Sequence, residues 1–229
     1  NNPNVAKGNE GAHGRAESMA MIEWCLGTML GSGCTSWSME QVAAPGVVAA
    51  LERARRQYPG RVAWARLDLS LLGVPQVRMR LIAGTPRLVH RLRKLASERR
   101  RCSVRSVIPH VRGTHVRNGT SSFKGRLRPN RAPGETMHVV HRMKWSDVCR
   151  PVDGPAHTVT GRHALSWVSI RDGKAVDHCV MHPRELAALQ TFPDDYKLPV
   201  RKFDAYLQIG NAVPPLVARL LLEHECTHG

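Results

Sequence analysis

The chain has 229 residues, 42% of them hydrophobic, a composition that suits a globular protein with a real core. No apolar run reaches the length of a bilayer span, and no charged start followed by an apolar core marks a signal peptide. Thirty-four Lys+Arg against 18 Asp+Glu leave a formal charge of +16, which favours a polyanionic partner.

Residues 1–14, dense in Gly and Asn, read as loop. Met19, Ile22, Leu26 and Met29 recur at spacings of three and four, which predicts a helix from about Arg15 to Leu30. Trp37–Met39 reads as the end of a short strand, with Glu40-Gln41 in the loop at its carboxyl edge. In an open α/β sheet that edge is where ligands bind. A helix from Val47 to Gln57 carries Val47, Val48, Leu51 and Ala54 on one face and Arg53, Arg55 and Arg56 towards water. Arg61–Leu69 alternates as a strand, and Gly73–Gly84 reads as a second one. In the latter, period two puts Gln76, Arg78 and Arg80 on one face and Val77, Met79 and Leu81 on the other. By pattern alone, that polar face is either the wet side of an edge strand or the lining of a site.

The charge is concentrated. From Arg87 to Arg131 there are fourteen Lys/Arg and one acid, Glu98. The stretch holds few aromatic residues, so contact with backbone phosphates is expected there in preference to base stacking. Arg99, Arg100, Arg101 and Arg105 are the candidate contacts, with a solvated basic face as the alternative. Further on, Pro183 opens a helix with Arg184 and Glu185 in its first turn, and Phe192-Pro193 closes it. Last, Gln208–Pro215 runs into the apolar stretch Leu216–Leu222. Gly210 and Asn211 are the residue types that most readily take left-handed backbone angles, and Pro214-Pro215 suit a helix start. The octet therefore predicts a tight turn feeding a helix, with exposed N–H groups and an Asn amide able to hold a polar ligand. An ordinary helix start is the alternative.

Six cysteines show no CxxC pairing, and the His-rich stretches around His182 and His224 lack standard zinc spacing. No metal is expected, and reduced thiols point to a cytoplasmic or nuclear compartment, not a secreted one.

Several of these stretches, in this order, resemble the cytosine-C5 DNA methyltransferases. Glu40-Gln41-Val42 resembles the family's Glu-Asn-Val motif, with Gln41 in place of Asn. Gly73-Val74-Pro75-Gln76-Val77-Arg78-Met79-Arg80 resembles the Gln-x-Arg-x-Arg motif and is the most specific match. Pro155-Ala156-His157-Thr158-Val159 resembles the Pro-x-x-Thr element that closes the recognition domain; on pattern alone Thr158 is equally a β-branched strand start. Arg184-Glu185 through Leu189-Gln190-Thr191-Phe192-Pro193 resembles a bracing motif, with Ala188 where the family commonly has Arg. The octet Gln208–Pro215 resembles the last motif, which lines the cofactor pocket.

The resemblance implies an α/β fold: a partial Rossmann-like S-adenosylmethionine-dependent methyltransferase core with a basic target-recognition insert. Residues 1–84 and 180–229 would form the core and 85–179 the insert. Glu40, Arg78 and Arg80 would be catalytic, Asn211 and Val213 would line the S-adenosylmethionine pocket, and Gln76 and Thr158 would join the four arginines on the nucleic acid. DNA is the expected substrate, with RNA left open. In the family a thiolate adds to C6 of a flipped cytosine while a carboxyl at N3 offsets the charge on the ring. The enamine then attacks the cofactor's methyl group, and loss of the C5 proton and the thiolate restores the ring. Neither a Phe-x-Gly-x-Gly loop nor a Pro-Cys nucleophile stands in this sequence, and residues 1–14 resemble the loop just after that nucleophile. An N-terminal half is therefore expected to complete the catalyst, leaving this chain inactive by itself. A non-catalytic DNA- or RNA-binding remnant of the same fold is the alternative.

Overall fold

The computed structural model describes residues 12–108, 136–141, 149–161, 165–172 and 174–226. Contacts divide the chain into two units: Asn1–Asp68 with Met79–Glu98 and Arg219–Gly229, and Leu69–Arg78 with Arg99–Ala218.

The first unit opens with α1 (Ala12–Gly31), whose Ile22, Leu26 and Leu30 are buried, close to the predicted stripe. Strand β1 (Ser38–Gln41) runs one residue past Glu40, so Glu40 lies in the strand and not in the loop after it. Pro45 occupies the first turn of α2 (Pro45–Gln57), where its missing N–H costs nothing. Val47, Ala50, Leu51 and Ala54 of α2 are buried against Ile22, Leu26 and Trp37. Strands β2 (Ala63–Asp68) and β3 (Met79–Gly84) complete a three-stranded sheet in the order β1-β3-β2. β3 is antiparallel to both neighbours, so β1 and β2 run parallel to each other and share a carboxyl end. The connection from β1 through α2 to β2 is thus a strand–helix–strand crossover with β3 laid between its strands. Helix α3 (Pro86–Glu98) was not legible in a stretch read for its charge. Its Leu88, Val89, Leu92 and Ala96 are buried, while Arg87, His90, Arg93 and Lys94 face solvent.

Strand β3 begins later than the alternation suggested. Leu69–Leu72 form a 3₁₀ turn, and Gly73 sits at φ 101°, a conformation that favours glycine. Pro75 has no N–H to give a sheet. Its carbonyl accepts from Ala156 N–H at 3.0 Å and Val77 N–H donates to Ala156 at 2.9 Å, so Gln76 makes a single parallel bridge to Ala156.

The second unit holds the short α4 (Val104–Val107) and an antiparallel sheet in the order β5-β4-β6-β7. Its strands are β4 (Thr136–His141), β5 (Arg150–Pro151), β6 (Leu165–Arg171) and β7 (Lys174–Val180). Only the dipeptide Asp172-Gly173 separates β6 from β7, and Asp172 takes φ 49°, as tight hairpins require. Helix α5 (Pro183–Leu189) starts as predicted, with Pro183 in its first turn and Phe192-Pro193 beyond its end. His182 accepts from Arg184 N–H, and Glu185 reaches back to His182 N–H at 2.7 Å, a reciprocal cap. Helices α6 (Lys202–Asn211) and α7 (Pro215–Cys226) come last. The core of this unit gathers Val139, Leu165, Trp167, Met181, Leu186 and Ile209, with Trp167 wholly buried.

The prediction for the octet needs correction. Gly210 and Asn211 form the last turn of α6, and neither takes a left-handed angle. The reason for glycine is close approach. A Cβ on Gly210 would lie 2.0 Å from Gly161 N and 2.2 Å from the Thr160 carbonyl carbon, so the segment ending at Gly161 crosses the end of α6 backbone to backbone. The helix start at Pro215 stands as predicted.

Candidate functional site

Glu40 on β1 and Arg80 on β3 share one sheet face. Glu40 pairs with Ile82, two residues from Arg80, so the two side chains are diagonal cross-strand neighbours. Arg80 Nε lies 2.8 Å from Glu40 Oε1, and the side chains are only 13% and 6% exposed. The contact is close in distance but poorly aligned as a hydrogen bond, so it is best described as an ion pair. Arg80 Nη1 also donates to the Met79 carbonyl at 2.8 Å. Burial pulls the Arg80 pKa below its ordinary value, and the Glu40 charge opposes that pull. The pair stands at the shared carboxyl end of β1 and β2, where an α/β sheet presents its ligand-binding groups.

Arg78, two residues before Arg80, has a different setting. It is 2% exposed and turns inward within the second unit. Its Nη1 donates to Val159 O at 2.9 Å, and Nη2 donates to Gly210 O at 3.1 Å and Ala212 O at 3.3 Å. Gln76 is wholly buried. Its Nε2 donates to Leu189 O at 2.8 Å and Gln190 Oε1 at 2.6 Å, and its Oε1 accepts from Val159 N–H at 2.7 Å. Of the three residues expected at the chemical centre, the structure therefore pairs two, Glu40 and Arg80, and places the third in a backbone clamp. Gln76, expected on nucleic acid, lies in the interior of the second unit.

Thr158 donates through Oγ1 to Val77 O at 2.5 Å, which pins its segment beside the Gln-x-Arg-x-Arg stretch. Beyond the Gly210 crossing, Asn211 and Val213 are both exposed at the end of α6 and the turn after it. An amide beside an apolar side chain suits a ligand with polar and apolar parts. Arg99, Arg100 and Arg101 are exposed on the stretch after α3. Arg105 on α4 is in an ion pair with Asp153, so part of its charge is met internally. Of the basic stretch, residues 109–131 lie outside the described residues.

Gln190 was legible only as part of a bracing motif. The structure buries it wholly, and its Nε2 donates to Ile209 O at 3.0 Å and Ala212 O at 2.7 Å. A Gln at the end of a short helix carries no signal that its amide closes a contact nineteen residues on; only its place in an apolar run hints at burial.

A family model described as C-5 cytosine-specific DNA methylase matches residues 58–225. The type II methyltransferase M.AgeI of Thalassovita gelatinovora is 39% identical over 82 residues, which are 36% of this chain and 17% of that protein. The type II methyltransferase M.BbvI of Brevibacillus brevis is 37% identical over 98 residues, 40% of this chain and 24% of its own length. The chain thus matches less than a quarter of either relative. The crystal structure of the S. pombe Dnmt2 methyltransferase superposes with a TM-score of 0.51 at 14% identity, covering 84% of this chain and 67% of that one. At that identity the likeness speaks for the fold alone, an α/β methyltransferase fold.

Proposed function

The chain belongs to the C-5 cytosine-specific DNA methylases, and from that premise we propose that it is the C-terminal part of a DNA (cytosine-5-)-methyltransferase. On this reading it works on a flipped cytosine once an N-terminal half supplies the nucleophile. Residues 1–84 and 180–229 serve the catalytic core and 85–179 serve target recognition. The observation that carries the reading is the Glu40–Arg80 ion pair on one face at the carboxyl end of two parallel strands.

The chain's residues divide the work. Glu40 is the carboxyl that meets N3 of the flipped base; it takes up a proton from water as the base enters and passes it to N3 as charge builds on the ring. Arg80 orients that carboxyl at 2.8 Å and keeps its charge compensated in a site that closes to water. S-adenosylmethionine supplies an electrophilic methyl group when bound, and the exposed Asn211 and Val213 are the residues suited to hold it. Thr158 and the exposed Arg99, Arg100 and Arg101 hold backbone phosphates and set the duplex in register, while Arg105 contributes beside its Asp153 partner. Arg78 and Gln76 act through the backbone they hold.

Single-turnover methylation by the completed enzyme tests this. Glu40→Gln keeps size and a hydrogen-bond donor but cannot transfer a proton. The chemical step should slow by about 10²–10⁴ with DNA affinity largely kept. A rate within a few-fold of the parent would reduce Glu40 to an ion-pair partner of Arg80. The chain alone should transfer no methyl group, and turnover without an added half would overturn the split assignment.

A further inference from the structure

The Gln-x-Arg-x-Arg stretch and the bracing motif meet in a network that the proposed chemistry does not use. Gln76 and Gln190 are both wholly buried, and each amide has its two hydrogens and its oxygen engaged. The orientation of each amide is fixed, because Gln190 Nε2 faces two carbonyls and Gln76 Oε1 faces an N–H. Arg78 joins them with donations to three carbonyls. Two backbone segments are each gripped twice. Val159 gives its N–H to Gln76 and its carbonyl to Arg78; Ala212 O accepts from both Gln190 and Arg78. The 2.6 Å bond between the two glutamines links the grips.

We propose that Gln190 is a positioning residue which, with Gln76 and Arg78, fixes the turn carrying Asn211 and Val213 and ties it to the segment carrying Thr158. The two segments then move as one, because every side chain holding one of them is bonded to a group holding the other. Buried amides with every donor and acceptor engaged specify one arrangement, since any shift leaves one of them without its partner. What those segments bind rests on the function proposed above; the mechanical coupling does not.

The test separates the two. In the full 229-residue chain, Gln190→Met keeps length and removes the amide, and amide exchange is measured residue by residue. Exchange should quicken by about tenfold or more at Ala212, and also at Val159, whose backbone bonds run to Gln76 and Arg78. Gln76→Met should do the reverse, loosening Ala212 through Gln190. Changes confined to each variant's own contacts, or spread evenly over the second unit, would overturn the coupling. Should a variant not fold, native-state exchange of the parent under rising denaturant decides: Val159 and Ala212 should merge into one opening event, and separate openings refute the proposal. In the completed enzyme Gln190→Met should raise KM for S-adenosylmethionine about tenfold with kcat within about threefold. A fall in kcat at unchanged KM would refute the positioning role. An inactive parent would strike the proposed function and leave the exchange result standing.

Discussion

Two arginines two residues apart, Arg78 and Arg80, are held in opposite ways. Arg80 meets a carboxylate, Glu40, across an ion pair with both side chains largely shielded from water. Arg78 is gripped by three backbone carbonyls. The first arrangement offsets burial of a cation with an anion. The second does so with dipoles that belong to two separate chain segments. A charge pair leaves a carboxyl beside an arginine, where proton chemistry can use it. A carbonyl clamp leaves nothing to react and instead fixes geometry. One motif therefore supplies both one member of an ion pair and a brace.

The comparison breaks most readily at the brace. Gly210→Ala puts a methyl group onto the backbone of Thr160 and Gly161, which cannot rotate away as a side chain could. We expect a loss of about 3 kcal/mol or more in denaturant unfolding, at the upper end of overpacking costs. A loss under about 1 kcal/mol would mean that the crossing relaxes and that Arg78 does not need both segments in place.

The ion pair should respond differently. Arg80→Met leaves the shielded Glu40 carboxylate without its partner and should cost about 3 kcal/mol. Adding Glu40→Gln removes the stranded charge, so the double variant should be more stable than Arg80→Met alone. A double-mutant cycle by urea unfolding measures this. Equal stabilities of the single and double variants would show that the pair is solvated, and the contrast with Arg78 would lose its basis.

The smallest effect on stability is expected where arginines are exposed to solvent. Replacing Arg99, Arg100 and Arg101 together by Ala should change unfolding by no more than about 0.5 kcal/mol. The same variant should reduce the salt dependence of DNA binding, with a log–log slope smaller by about 0.9 for each arginine that touches a phosphate. An unchanged slope would remove these residues from the nucleic-acid surface.

Sequence alone determined the elements whose causes are local. The α1 and α2 stripes and the proline starts of α5 and α7 arise from spacing and backbone chemistry. Glu40 and Arg80 were both named as candidate site residues, and the structure pairs them. Helix α3 was hidden because its charge drew the reading away from its buried Leu88, Val89 and Leu92. Tertiary structure decided what residue type leaves open. Gly210 permits either an unusual angle or a close approach, and only the neighbouring backbone of Thr160-Gly161 shows that approach is the cause. The alternation of Gln76, Arg78 and Arg80 suggests one shared face, yet the strand starts at Met79 and the first two residues turn into the interior. Period two holds only while a strand is paired on a sheet, and where pairing begins depends on partners far away in the chain.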